Sequence, residues 1–159
     1  NVFTASEREQ LLADGIATFT VDASGNVRIN RLVSTWQEDP LTATPSAAFR
    51  DANTFFTLDF FRFSLVNRLL LRFPRVKRAG DDVRFGAGQA IATPRTIRAE
   101  IVALAREWED AGLLADHAQF VDDLIVEISN SDPNRVEIVL SPNLVNGFRV
   151  GAAQTAFIS

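Results

Sequence analysis

The chain has 159 residues, no cysteine and a formal net charge of −4. That length suits one domain or one with a small appendage, and it can bury enough surface to fold without staples. The absence of cysteine excludes disulfides, thiolate metal sites and Cys nucleophiles, and the mild negative charge makes no whole-chain case for nucleic-acid binding. The sequence starts at Asn1 and has no methionine, so a piece of a longer protein with an upstream region is expected.

Taken in order, Thr4 or Ser6 can cap a short first helix, with Glu7 or Glu9 as capping-box partner. Leu11 and Leu12 give that helix an apolar side, and Gly15 ends it. Residues 16–22 and 27–33 read as two strands joined by Ala23-Ser24-Gly25-Asn26. Thr18 and Thr20 alternate with Ala17, Phe19 and Val21, the pattern of a strand with one wet face. Residues 36–45 hold Pro40, Pro45 and several Thr, and are expected to form a linker or surface loop.

Residues 46–73 are the dominant stretch. Read as one helix they span roughly 28 residues and about 42 Å, with Pro45 in the first turn and Pro74 as the stop. Phe49, Phe56, Phe60, Phe63, Val66 and Leu70 fall on one broad face at helical spacing, with Arg50, Arg68 and Arg72 opposite. Leu58, Phe61 and Leu65 lie near the charged side, so the helix is expected to be covered on more than one side. Asp59, Arg62, Asn67 and Arg68 exclude a membrane span, because each ionised group at bilayer depth costs about 2.5–3.5 kcal/mol.

Residues 75–92 read as irregular, broken by Gly80, Gly86 and Gly88. Thr93-Pro94 is an N-cap and N1 pair for a helix running to about Ala111. Ile97, Ile101, Leu104, Ala105 and Trp108 form its apolar face, and Gly112 stops it. Asp116 is expected to cap a short helix through Phe120 and Val121. Alternating residues around Val126 and Ile138, separated by Ser131-Asp132-Pro133-Asn134, predict a β-hairpin from Leu124 to Leu140. Residues 142–147 form a break, and residues 148–159 a last extended run. Such a strand either pairs with its own hairpin or adds to a neighbour's sheet edge. The class is α+β: a long central helix and a second helix packed on small antiparallel or mixed β elements, with an open C-terminal strand. Three regions are expected: 1–35, a linker 36–45, and 46–159 with a terminal arm 147–159.

Chemistry is sparse. His117 is the only histidine, placed at a helix start where a surface or capping role suffices. The acidic pairs and triplets, Asp81-Asp82 and Glu107, Glu109, Asp110, lack EF-hand spacing and read as solvated surface. Gly86-Ala87-Gly88 matches neither a phosphate loop nor a dinucleotide fingerprint. No enzyme, cofactor or metal is expected. Arg72, Arg75, Lys77 and Arg78 form a local basic patch. It suits either an anionic partner or simple stabilisation of a helix C-terminus, worth about 0.3–1 kcal/mol per cation.

Four stretches together resemble the C-terminal part of contractile-phage tail sheath proteins of the Mu-like type. They are GIATFTVDASGNVRINRLVSTWQ (15–37), the Phe-rich stretch, RFPRVKRAGDDVRFGAGQAIATP (72–94) and LIVEISNSDPNRVEIVLSPNLVNGFRVGAAQTAFIS (124–159). SDPNRVEIVLSPNLVNGFRVGAAQ is the most specific segment. The resemblance implies a structural subunit of the virion tail, encoded by a phage or prophage and assembled in the bacterial cytoplasm. Such subunits polymerise around a tail tube and contract to drive it through the host envelope. The implied partners are other sheath subunits and the tail tube protein, with no nucleic acid and no membrane insertion. The implied strand-exchange arm carries Phe148, Val150, Ala152, Gln154, Ala156 and Ile158, with Gly147 and Gly151 as hinge positions. Arg72, Arg75, Lys77 and Arg78 would be candidate tube contacts. Without neighbouring arms, the isolated stretch is expected to be monomeric. A sheath of a non-phage contractile injection machine, or a small binding module using the patch at 72–78, are the alternative readings.

Overall fold

A computed structural model describes residues 3–146. The backbone divides into two compact units, residues 1–66 and 67–159.

The first unit opens with α1 (Ala5–Ala13), whose start is a capping box: the Thr4 hydroxyl accepts from the Glu7 N–H, and the Glu7 carboxylate accepts from the Thr4 N–H. Two orphan donors of the first turn are thereby satisfied. The helix ends in a Schellman motif. Gly15 adopts φ +79°, its N–H reaches the Leu12 carbonyl, and the Ile16 N–H reaches that of Leu11 at 2.8 Å. The Arg50 guanidinium donates to the Leu12 carbonyl at 3.1 Å, placing a cation at the negative end of the helix.

β1 (Thr18–Val21) and β2 (Val27–Arg31) form an antiparallel hairpin with Phe19 opposite Ile29 and Val21 opposite Val27. Its turn is organised by Asp22, whose Oδ1 accepts from the Ser24 and Asn26 N–H groups, both at 2.9 Å. Alternation along β1 is as expected, but the orientation is reversed. Thr18 is buried, whereas Phe19, Val21, Val27 and Ile29 are exposed. Residues 36–45 form a loop closed at its neck by a bridge between Glu38 and Pro45, with the Ser46 N–H on the Gln37 carbonyl.

The dominant helix is shorter than the sequence suggests: α2 covers Ala52–Arg72, 21 residues. Residues 46–51 are not helical, and Pro45 does not begin a helix. The Ser34 N–H bonds the Arg50 carbonyl, the Ala52 N–H bonds that of Leu32, and Val33 bridges Asp51. Arg31 holds Asp51 with two hydrogen bonds at 2.7 and 2.9 Å. Trp36 meets Phe49 edge-on at 5.0 Å, and Phe49 stacks on Phe55 at 5.3 Å. These tertiary contacts outweigh the helical periodicity that Phe49 completes. The helix stops before Pro74, whose ring disfavours helical geometry at Phe73. Phe61 is 3% exposed and Leu58 and Leu65 are half-buried, so the narrow strip near the arginines faces inward. The broad phenylalanine face does not.

The second unit is built on α3 (Pro94–Asp110), capped by Thr93, with Pro94 at its start. Ile97, Ile101, Leu104, Ala105 and Trp108 are all buried, as their spacing predicts. A second Schellman motif ends it: Gly112 has φ +70°, its N–H bonds the Glu109 carbonyl, and the Leu113 N–H bonds that of Trp108. α4 (His117–Asp123) is capped by Asp116 and packs on α3, with Phe120 edge-on to Trp108 at 6.0 Å. Arg98 of α3 donates to the Val121 and Leu124 carbonyls, closing the C-terminal end of α4.

β5 (Ile125–Ile128) and β6 (Val136–Val139) form the expected antiparallel hairpin, and β5 lies against α3. Residues 75–92 are not wholly irregular. β3 (Lys77–Arg78) pairs in parallel with β4 (Ile91–Ala92), a contact too short to leave a periodic signal. Among the described residues the fold is thus four helices and three two-stranded sheets, an α+β arrangement. No described helix is long and apolar enough to cross a membrane.

Candidate assembly surface

The four cations of the basic patch do not act as one group. Arg72 Nε lies 3.2 Å from Glu100 Oε2, and Arg68 ties Glu107 beside it. Arg78 is half-buried, with its Nε out of contact with solvent and without a hydrogen-bond partner among the described residues. Its neighbour Lys77 sits in β3 opposite Ile91, exposed. Arg75 takes a positive φ of 55° just after α2 and is also exposed. Two of the four, Arg75 and Lys77, therefore point at solvent without an ion pair among the described residues. Exposed pairs with a partner would be worth about 0–1 kcal/mol each, which suits a reversible contact.

The larger feature is apolar. On α2, Phe56, Phe60, Phe63, Val66 and Leu70 stand exposed, Phe63 at 65%. A shallow groove of about 480 Å³ lies alongside, between Phe55, Phe56 and Leu58, with Asp59 and Arg62 at its polar edge. Scattered apolar residues are normal on a surface, but a continuous row is the mark of an interface. The C-terminal hairpin adds Ile125 and its cross-strand partner Val139, both about half exposed. It is α3 that carries this hairpin.

The segment after β6 is held to the body in a way the sequence does not announce. Leu114 bridges Leu144, the Ala115 N–H bonds the Asn143 carbonyl at 2.8 Å, and the Val145 N–H bonds that of Leu113 at 3.0 Å. The expected break at 142–147 is therefore partly a short pairing with the residues that leave α3. The only signal is a pair of two-residue apolar clusters, Leu113-Leu114 and Leu144-Val145, too brief to show alternation. The expected arm residues Phe148, Val150, Ala152, Gln154, Ala156 and Ile158, and the hinge positions Gly147 and Gly151, lie outside the described residues.

No convergent chemistry competes with these surfaces. His117 Nε2 lies 3.2 Å from the Val102 carbonyl, and its backbone N–H meets Glu109. Asp81 accepts from the Arg95 N–H at the start of α3, and Glu107 and Glu109 pair with arginines. No group of three or more acidic or histidine ligands gathers among the described residues.

Residues 44–158 match the phage tail sheath C-terminal domain, and the chain belongs to that family. It is 37% identical over 152 residues to the Mu-like prophage FluMu tail sheath protein of Haemophilus influenzae. That similarity takes in 96% of this chain and 31% of the relative, so the chain spans about a third of the relative's length.

Proposed function

We propose that this chain serves as the C-terminal assembly domain of a contractile tail sheath subunit. The observation that supports this reading best is the family match over residues 44–158 combined with the exposed aromatic row on α2. Subunits stack around a tail tube in the virion and shorten together, driving the tube through the host envelope. A rigid body with strand-like connections is suited to such a movement, because backbone pairing between subunits survives while each subunit turns.

In this reading residues 147–159 form the arm that adds a strand to a neighbour, with Gly147 and Gly151 at its base able to absorb the change of direction. In this reading the strand is received at an edge of the β5–β6 sheet, which has two strands among the described residues. Arg75 and Lys77, with Arg72 and Arg78 behind them, are the candidate contacts with an acidic surface of the tube protein. The domain works without a cofactor and without catalysis.

Deletion of residues 148–159 from the full-length sheath protein tests the arm. Electron microscopy of the intact protein is expected to show tubes or rings, and the truncated protein to stay folded by circular dichroism but unassembled. Normal polymers from the truncated protein would refute the arm's role.

A further inference from the structure

Among the described residues the N-terminal unit has a sparse core. Its buried apolar residues are Leu12, Val33 and Phe61, whereas the second unit buries nine, around Ile101 and Trp108. A unit of this size is marginal even when well filled. Meanwhile the β1–β2 hairpin displays its apolar side to solvent. Phe19 faces Ile29 and Val21 faces Val27 across the strands, all four exposed, with Ile29 at 66%. The polar side is the one already satisfied: Thr18 is buried, and Thr20 and Asn30 are hydrogen-bonded to each other. Beside Phe19 and Val21, a groove of about 450 Å³ continues the apolar surface between the hairpin and α1, over Phe3, Leu11 and Ile16.

We infer that this hairpin face and groove are the seat of the upstream part of the same sheath polypeptide, which packs an apolar layer onto Phe19, Val21, Val27 and Ile29 and completes the N-terminal unit's core. Two observations favour that occupant over a second copy or a foreign partner. The C-terminal domain match begins at residue 44, after the hairpin, so the hairpin lies outside the stretch matched to that domain. The similarity to the FluMu sheath protein leaves out only a few residues of this chain and so includes the hairpin, yet more than two thirds of that protein lies beyond the match. The inference rests on family membership and is independent of the arm, the tube contact and contraction.

Carbene footprinting of the full-length sheath protein and of the 159-residue chain, both held monomeric by dilution and checked by light scattering, tests it. Labelling at Phe19, Val21, Val27 and Ile29 is expected to be strong in the 159-residue chain. In the full-length monomer it should fall several-fold, without dependence on concentration. Equal labelling in the two monomers, or weak labelling already in the monomeric 159-residue chain, would overturn the inference. Protection that arises only when either protein self-associates would overturn it in favour of a second copy. A paired variant, Phe19→Asp with Ile29→Asp, should leave the thermal midpoint of the 159-residue chain unchanged and lower that of the full-length monomer; the same effect in both would count against it.

Discussion

Single residues set most of the boundaries in this chain, and they do so through hydrogen-bond accounting at helix ends. Thr4 with Glu7, Thr93 and Asp116 each satisfy first-turn donors. Gly15 and Gly112 close helices through positive φ. At Gly15 a Cβ would also sit 2.8 Å from the Ser34 carbonyl oxygen, so the position excludes a side chain on two counts. All five sites were legible, because capping chemistry is local. Arg50 and Arg98, which close other helix ends from a distance, were not, because their partners are remote in sequence. Asp22 is a further local case. The Asn26 N–H, opposed by partial burial and helped by the Asn26 side chain, the Ser24 N–H and Arg28, holds its carboxyl below the usual range. A lowered native pKa means the turn is supported in full above the unfolded value of about 3.9 and loses that support as pH falls through the native value. By NMR, the Ser24 and Asn26 amide shifts should titrate together with an apparent pKa below that of a free aspartate. An ordinary or raised value would contradict the turn geometry.

At the scale of elements, α3 and α2 show why one helix was readable and the other only in part. The apolar residues of α3 occupy one stripe, so the buried side could be named in advance. α2 is apolar on both sides, and periodicity favours the broader stripe. Burial chose the narrower one, around Phe61, while the broad stripe of Phe56, Phe60 and Phe63 stayed outside. This difference has a measurable consequence. Ile101→Ala should destabilise the 159-residue chain by about 2–5 kcal/mol, the range for emptying a packed core site. Phe63→Ala should change it by no more than about 0.5 kcal/mol, as for an exposed site. Denaturant unfolding of the two variants checks this. A loss at Phe63 comparable to that at Ile101 would mean the outer face is covered within the chain itself.

At the scale of the whole molecule, the second unit is well filled, whereas the first buries only Leu12, Val33 and Phe61 among the described apolar residues. The exposed row on α2 and the solvent-facing Arg75 and Lys77 are both costly or useless to an isolated domain, and both suit a polymer subunit. Replacing Arg75 and Lys77 by Glu in the full-length protein should leave the thermal midpoint unchanged, since neither is paired among the described residues. The same change should reduce tube-dependent sheath assembly, scored by electron microscopy with tail tubes present, and the reduction should be greatest at low salt, where surface charge is least screened. Unchanged assembly with folding intact would remove the patch from the tube interface.

What the sequence determined by itself was whatever depends on neighbours along the chain: the caps, the two hairpins, the one-sided helix α3, and the family to which the ordered run of segments from 15 to 159 belongs. What only the tertiary structure decided was direction. It turned the polar side of the first hairpin inward, pulled residues 46–51 out of the long helix to lie along residues 32–34, and within the basic patch paired Arg72 with Glu100, half-buried Arg78 and left Arg75 and Lys77 exposed. Periodicity reports that two faces differ. Which face is buried depends on what else is present to cover it, and that lies outside any local stretch of sequence.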